Sequence, residues 1–136
     1  MLLIVFFTQL IIITPAWPFP DGEFDGGASD PYINIKCHFN SSGPKPTVVI
    51  EANCDGSMDW HKTLEPLKLE RSADDTFVVA NVHAASVYGE FLEYLNFRCY
   101  GKRFKKDDFA TYKVISDVNQ LKIYEEGRWV DIFKAR

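Results

Sequence analysis

The sequence predicts an all-β domain built as a two-sheet antiparallel β-sandwich of seven or eight short strands. Apolar and polar residues alternate along several short segments, as half-buried strands require. Aromatic residues make up 15% of the 136 residues, and they suit pleated surfaces better than helices. Turn-forming residues separate the segments at short intervals, which favours two packed sheets, and we expect a sandwich rather than a barrel.

Two segments show the alternation most clearly. From residue 33 to 40 the predicted inward positions are Ile33, Ile35, Cys37 and Phe39. From residue 47 to 54 they are Val48, Ile50, Ala52 and Cys54. The remaining strands are predicted at residues 67–70, 76–82, 91–99, 109–116, 120–125 and 128–133.

The amino terminus predicts an exported protein. Residues 1–16 are almost entirely apolar and end in Thr14-Pro15-Ala16, which is typical of a cleavable signal peptide. A membrane anchor is the alternative, but the run falls short of the about 20 apolar residues that a span needs. Residues 17–31, rich in Asp, Gly and Pro, predict a flexible acidic leader, and residues 32–134 the folded domain. No second hydrophobic run follows, so no stable membrane insertion is expected.

Charge and short motifs narrow the functional classes. A net charge of −4 gives no field that favours nucleic acid. Asn40 begins an Asn-Ser-Ser glycosylation sequon beside Gly43-Pro44, where a loop would expose it. None of the three histidines forms a metal-ligand spacing with another, and no nucleophile-elbow sequence is present. We therefore predict no metal, no cofactor and no enzyme activity.

Several motifs occur in the order found in the nematode transthyretin-like family. They are INIKC, KPTVVIEANC, SADDTFVVANV, EYLNFRC, and GKRFKK followed by TYKVI. Over residues 32–124 the chain resembles this family of small secreted proteins. The resemblance implies a seven- or eight-stranded sandwich similar to vertebrate transthyretin, but it does not carry thyroid-hormone transport with it.

The three cysteines all fall on predicted inward faces. The resemblance implies a disulfide between Cys37 and Cys99. Cys54 would then be a buried free thiol or one half of an intermolecular bond. Periodicity alone does not separate this pairing from a bond between Cys54 and Cys99.

Two groups of residues are candidates for partner contacts. The basic strip could meet an anionic partner and consists of Lys102, Arg103, Lys105 and Lys106. The aromatic candidates are Trp60, Tyr94 and Tyr100. The predicted function is a secreted binding protein, monomeric or homo-oligomeric, for an extracellular protein or a small apolar or anionic ligand. The alternatives are a secreted hydrolase that depends on His61, and a structural matrix component linked through Cys54.

Overall fold

The computed structural model describes residues 19–56, 60–82, 85–115 and 119–136. Within these ranges the chain forms nine strands and one helix, α1, which spans Ser86–Arg98. The strands are β1 (Gly22–Ala28), β2 (Ile33–Asn40), β3 (Thr47–Asn53), β4 (His61–Lys62), β5 (Leu67–Ala73), β6 (Thr76–Val79), β7 (Thr111–Val114), β8 (Gln120–Glu125) and β9 (Arg128–Lys134). The prediction of a mainly β protein is therefore confirmed.

The strands form a closed antiparallel barrel. Strand β1 pairs with β2, β2 with β3, and β3 with β5. Strands β5 to β8 each pair with the next strand along the chain. Strand β9 returns to pair with β1, which completes a barrel of eight strands, and the short β4 pairs with β3. The prediction of a two-sheet sandwich is wrong, because the sheet closes on itself.

Strand β1 explains the closure. It lies inside the segment 17–31, where the sequence predicted a flexible leader, and this prediction is wrong for residues 22–28. Phe24 is fully buried in the interior. A Cβ atom on Gly26 would lie 2.1 Å from the carbonyl oxygen of Asp131, and one on Gly27 would lie 2.4 Å from Asn34 Oδ1. These two glycines, which made the segment look like a flexible leader in the sequence, thus allow β1 to lie close to both neighbouring strands, β9 and β2. The predicted signal peptide, residues 1–16, lies outside the described residues.

Helix α1 replaces the strand that was predicted at residues 91–99, which is a second correction. Its buried side chains recur at intervals of three and four residues, and they are Tyr88, Phe91, Leu92 and Leu95. This is the period of a helix that buries one face. Phe97, which would share the predicted inward face of Cys99 in a strand, is 82% exposed. The alternation around Leu95 was a short coincidence inside a longer helical pattern.

The barrel has two different ends. The helix end contains the connections that follow β1, β3, β6 and β8, and α1 lies in the connection between β6 and β7. There the rings of Phe91 and Phe109 meet with centroids 5.7 Å apart. At the far end, Phe19 packs edge-on against Phe39 and Phe77, with centroids 4.9 and 4.5 Å away. Among the described residues, α1 included, no helix has both the length and the apolar character to cross a lipid bilayer.

The disulfide joins Cys54 to Cys99, with their Cα atoms 5.8 Å apart. The pairing of Cys37 with Cys99 is therefore wrong, as is the intermolecular or free thiol at Cys54. Cys37 lies in the middle of β2, paired in register with Phe24 and Ile50, and is a buried free thiol. Cys99 follows α1 at the helix end, where β3 also ends, so Cys54 is the cysteine within its reach.

Candidate functional site

A surface groove lies between α1 and the segment that runs from β4 towards β5. Its volume is about 400 Å³. The side chains that shape its apolar surface are Trp60, His61, Leu64, Val87, Phe91 and Tyr94. We call this the aromatic groove.

Local pairing and one covalent bond hold the two walls of the aromatic groove together. Strand β4 pairs with β3, where His61 lies opposite Ala52. From there the His61 ring meets the ring of Tyr94 on α1 edge-on, with centroids 4.7 Å apart. The disulfide between Cys54 and Cys99 joins the chain just beyond β3 to the end of α1. Both walls are thus fixed to the same barrel strand.

The aromatic groove exposes apolar side chains that proteins ordinarily bury. Leu64 is 81% exposed and Tyr94 is 51% exposed. Lys62 and Glu90, both exposed, add one positive and one negative charge to the lining. A concave apolar surface with a few polar groups is the usual form of a site for small organic ligands.

The structure brings together two of the three predicted aromatic contacts. Trp60 and Tyr94 both line the aromatic groove. Tyr100 is fully exposed just beyond α1 and is not part of the groove lining. Sequence reasoning missed Leu64 and Val87, because neither stands in a motif and their role depends on how α1 docks.

The basic strip does not present all four charges to solvent. Lys102 Nζ donates a hydrogen bond to the carbonyl oxygen of Tyr32 at 2.6 Å and lies 3.1 Å from Glu126 Oε2. Lys102 therefore connects two parts of the helix end. The other three residues of the strip are exposed, namely Arg103, Lys105 and Lys106.

Asn40 is exposed at the end of β2, at the far end of the barrel. Its Oδ1 atom accepts hydrogen bonds from the amide and the hydroxyl of Ser42, at 2.9 and 2.6 Å. The sequon is thus accessible on the opposite end from the aromatic groove. Its glycosylation stays a prediction.

A buried acidic group lies beneath the helix end. Glu125 is fully buried, and its Oε2 atom accepts a hydrogen bond from Arg128 Nε at 3.3 Å. Its Oε1 atom has no hydrogen-bond partner among the described residues. Burial is the main cause that raises the pKa of Glu125 to about 8, and the neighbouring Glu126 raises it further. Arg128 acts in the opposite direction. Arg128 also donates to the carbonyl oxygens of Ser29 and Pro31, so this network ties two connections together.

A second polar cluster lies on the outer surface of the barrel. It consists of Glu23 on β1, His38 on β2 and Glu51 on β3, each of which offers a metal-ligating atom within 4.8 Å of the others. Sequence reasoning predicted no metal because these residues share no local spacing. The only signal would have been the strand register, which pairs Glu23 with His38 across a segment that was assigned to the leader.

No protein-family model, curated protein or solved structure matches the chain. The resemblance to the transthyretin-like family therefore stays a prediction.

Proposed function

We propose that the protein is a secreted binding protein that takes a small apolar ligand in the aromatic groove. The observation that carries this proposal is the exposure of Leu64 and Tyr94 within one concave surface of about 400 Å³. This volume falls within the range of about 300 to 1,000 Å³ that is common for ligand sites.

The free energy of binding would come mainly from burial of these two side chains. Covering an exposed apolar side chain completely contributes about 1.5 to 3 kcal/mol. Tyr94 is already oriented by its edge contact with His61, so little rotational freedom is lost when a ligand covers it. Lys62 and Glu90 favour a ligand with an apolar body and a polar or charged end.

Three observations support an extracellular location. The disulfide between Cys54 and Cys99 is of a kind that persists in oxidising compartments. The exposed Asn40 would carry a glycan at the far end, where it leaves the aromatic groove open. The apolar amino terminus, residues 1–16, has the composition of a signal peptide.

The test is a titration of the oxidised protein with the fluorescent probe anilinonaphthalene sulfonate, which has an apolar ring system and an anionic sulfonate group. We expect the double variant Leu64→Ala and Tyr94→Ala to bind the probe at least about tenfold more weakly, which corresponds to about 1.4 kcal/mol. Phe133→Ala is the matched control, because Phe133 is an aromatic side chain of similar exposure, 53%, on β9.

Circular dichroism of each variant checks that the barrel is intact before binding is compared. Equal affinity for the double variant and the wild type would reject the aromatic groove as the site. An equal loss in Phe133→Ala would show general adsorption to exposed apolar surface and would reject it as well.

A further inference from the structure

We infer that the outer face of strands β1 to β3 binds a divalent transition-metal ion through Glu23, His38 and Glu51. The cluster is separate from the aromatic groove, and the inference does not depend on the proposed function. It rests on strand register, on interatomic distances and on the balance of hydrogen-bond donors and acceptors.

Register places the three side chains on one surface. Glu23 lies directly opposite His38 in the β1–β2 ladder. Glu51 lies opposite Lys36 in the β2–β3 ladder. Lys36 is two residues before His38 on β2, so the side chains of Glu51 and His38 are on the same face of the sheet. Since closure of the barrel fixes all three strands as neighbours, the ligands come from a rigid surface rather than from a loop.

The distances are close to those of a coordination sphere. His38 Nε2 lies 3.5 Å from Glu23 Oε1 and 2.6 Å from Glu51 Oε2. Ligand atoms at about 2.0 to 2.2 Å from a tetrahedral Zn²⁺ are about 3.3 to 3.6 Å from one another. The first distance already fits, and the second must widen by less than about 1 Å. Side chains that are 22% to 42% exposed have room for that adjustment.

Without a cation the cluster has more acceptors than donors. The single Nε2 nitrogen of His38 carries at most one proton, and it faces two carboxylate groups. Asp25 lies on the same face of β1 and adds a further negative charge, and its Oδ1 atom is buried without a hydrogen-bond partner among the described residues. Lys36, whose Nζ atom lies 4.4 Å from the centre of the Trp60 ring, offsets only part of this charge through its attraction to Asp25. A divalent ion would satisfy the surplus of negative charge.

The ligand set selects the kind of metal. One imidazole nitrogen with two carboxylate oxygens suits Zn²⁺ and similar transition metals, whereas Mg²⁺ and Ca²⁺ prefer oxygen ligands alone. Three protein ligands leave a coordination position for water. Bound metal would join β1 to β2 and β3, so it would stabilise the strand that closes the barrel.

The experiment is a calorimetric titration of the oxidised full chain with zinc chloride, with thermal unfolding measured in parallel. We expect one Zn²⁺ per chain and a higher melting temperature with Zn²⁺ than with Mg²⁺. His38→Ala and Glu23→Gln should each weaken Zn²⁺ binding at least about tenfold, as the loss of a ligand does. Glu70→Gln is the matched control, because Glu70 is also a strand carboxylate and pairs with a single cation, Lys45.

A second control separates this cluster from the other described histidine. His61→Ala alters the aromatic groove and should leave Zn²⁺ affinity unchanged. The inference is overturned if the wild type shows no stoichiometric Zn²⁺ binding, if His38→Ala binds as tightly as Glu70→Gln, or if His61→Ala causes the loss instead. Circular dichroism of metal-free His38→Ala should match that of the wild type, which shows that the barrel forms without this side chain.

Discussion

The two ends of the barrel are closed by different kinds of interaction. At the helix end, a disulfide, the buried Glu125 with Arg128, and the inward Lys102 connect the chain segments. At the far end, the ring of Phe19 packs against Phe39 and Phe77. The helix end therefore adds a covalent bond and buried polar groups to its aromatic contacts, whereas the far end has an aromatic cluster without a disulfide among the described residues.

This difference explains where an exposed apolar groove is tolerated. A surface that keeps Leu64 and Tyr94 in water gives up the stabilisation that their burial would provide. The disulfide between Cys54 and Cys99 holds α1 beside the barrel without that burial. The far end has no such bond among the described residues, and there the ring of Phe19 packs inward against Phe39 and Phe77. The comparison predicts that changes at the two ends have separable effects on stability and on ligand binding.

Removal of the disulfide should have the largest effect. The bond closes a loop with a sequence separation of 45 residues, so the double variant Cys54→Ala and Cys99→Ala should lose about 4 kcal/mol of unfolding free energy on the chain-entropy model. Urea unfolding measures this loss. The variant should also bind the fluorescent probe more weakly, because α1 loses its attachment to β3.

Reduction of the wild-type protein is the control for this prediction. A reducing agent should lower the wild-type urea midpoint to that of the double variant and leave the variant unchanged. A wild-type midpoint that does not respond to reduction would contradict a stabilising role for the bond.

Phe19→Ala should have an intermediate effect that is confined to stability. Phe19 is partly buried and contacts two core rings, so we expect a loss of about 2 kcal/mol of unfolding free energy. Probe binding in the aromatic groove should not change, because the groove is at the other end. Phe133→Ala, at an exposed phenylalanine, should cost less than about 0.5 kcal/mol. Weaker probe binding in Phe19→Ala would show that the two ends are coupled and would contradict the comparison.

The sequence predicted the strands whose pattern is local. The inward residues predicted for β2 are confirmed, and for β3 they are confirmed at Val48, Ile50 and Ala52 but not at Cys54, which follows the strand and is partly buried. Alternation of apolar and polar side chains indicates a half-buried strand directly. Strand β1 was missed because Gly26 and Gly27 resemble a flexible segment, and their role depends on the neighbouring strands. Helix α1 was missed because a short stretch of alternating residues suggested a strand. The helical spacing of apolar residues from Tyr88 to Leu95 extends over a longer segment and begins before the predicted strand.

The sites show the same limit. Trp60 and Tyr94 were identified from residue type, but nothing local joins them, since one precedes β4 and the other lies on α1. The resemblance implied a bond between Cys37 and Cys99, and periodicity left Cys54 open as the partner because all three cysteines fit an inward phase. Only the position of the end of α1 beside the end of β3 selects Cys54. The residue types in the sequence thus indicated which side chains could form contacts or bonds. They did not indicate which residues lie next to one another in the folded chain.

Glu125→Gln should have the smallest effect, which appears as a change in the pH dependence of stability. Burial raises the pKa of Glu125 from 4.5 to about 8 in the folded protein, so folding favours the protonated form. Its contribution is fully present at acidic pH and is lost as pH rises through the folded pKa. Between about pH 6 and about pH 9, the wild type should therefore lose at least about 1 kcal/mol more unfolding free energy than Glu125→Gln. Urea unfolding at several pH values measures the slope, with the exposed Glu70→Gln as the control that keeps it. Arg128 keeps a polar partner in the glutamine variant. If Glu125→Gln shows the same pH slope as the wild type, Glu125 stays ionised in the folded protein and its burial does not lower the free energy of unfolding.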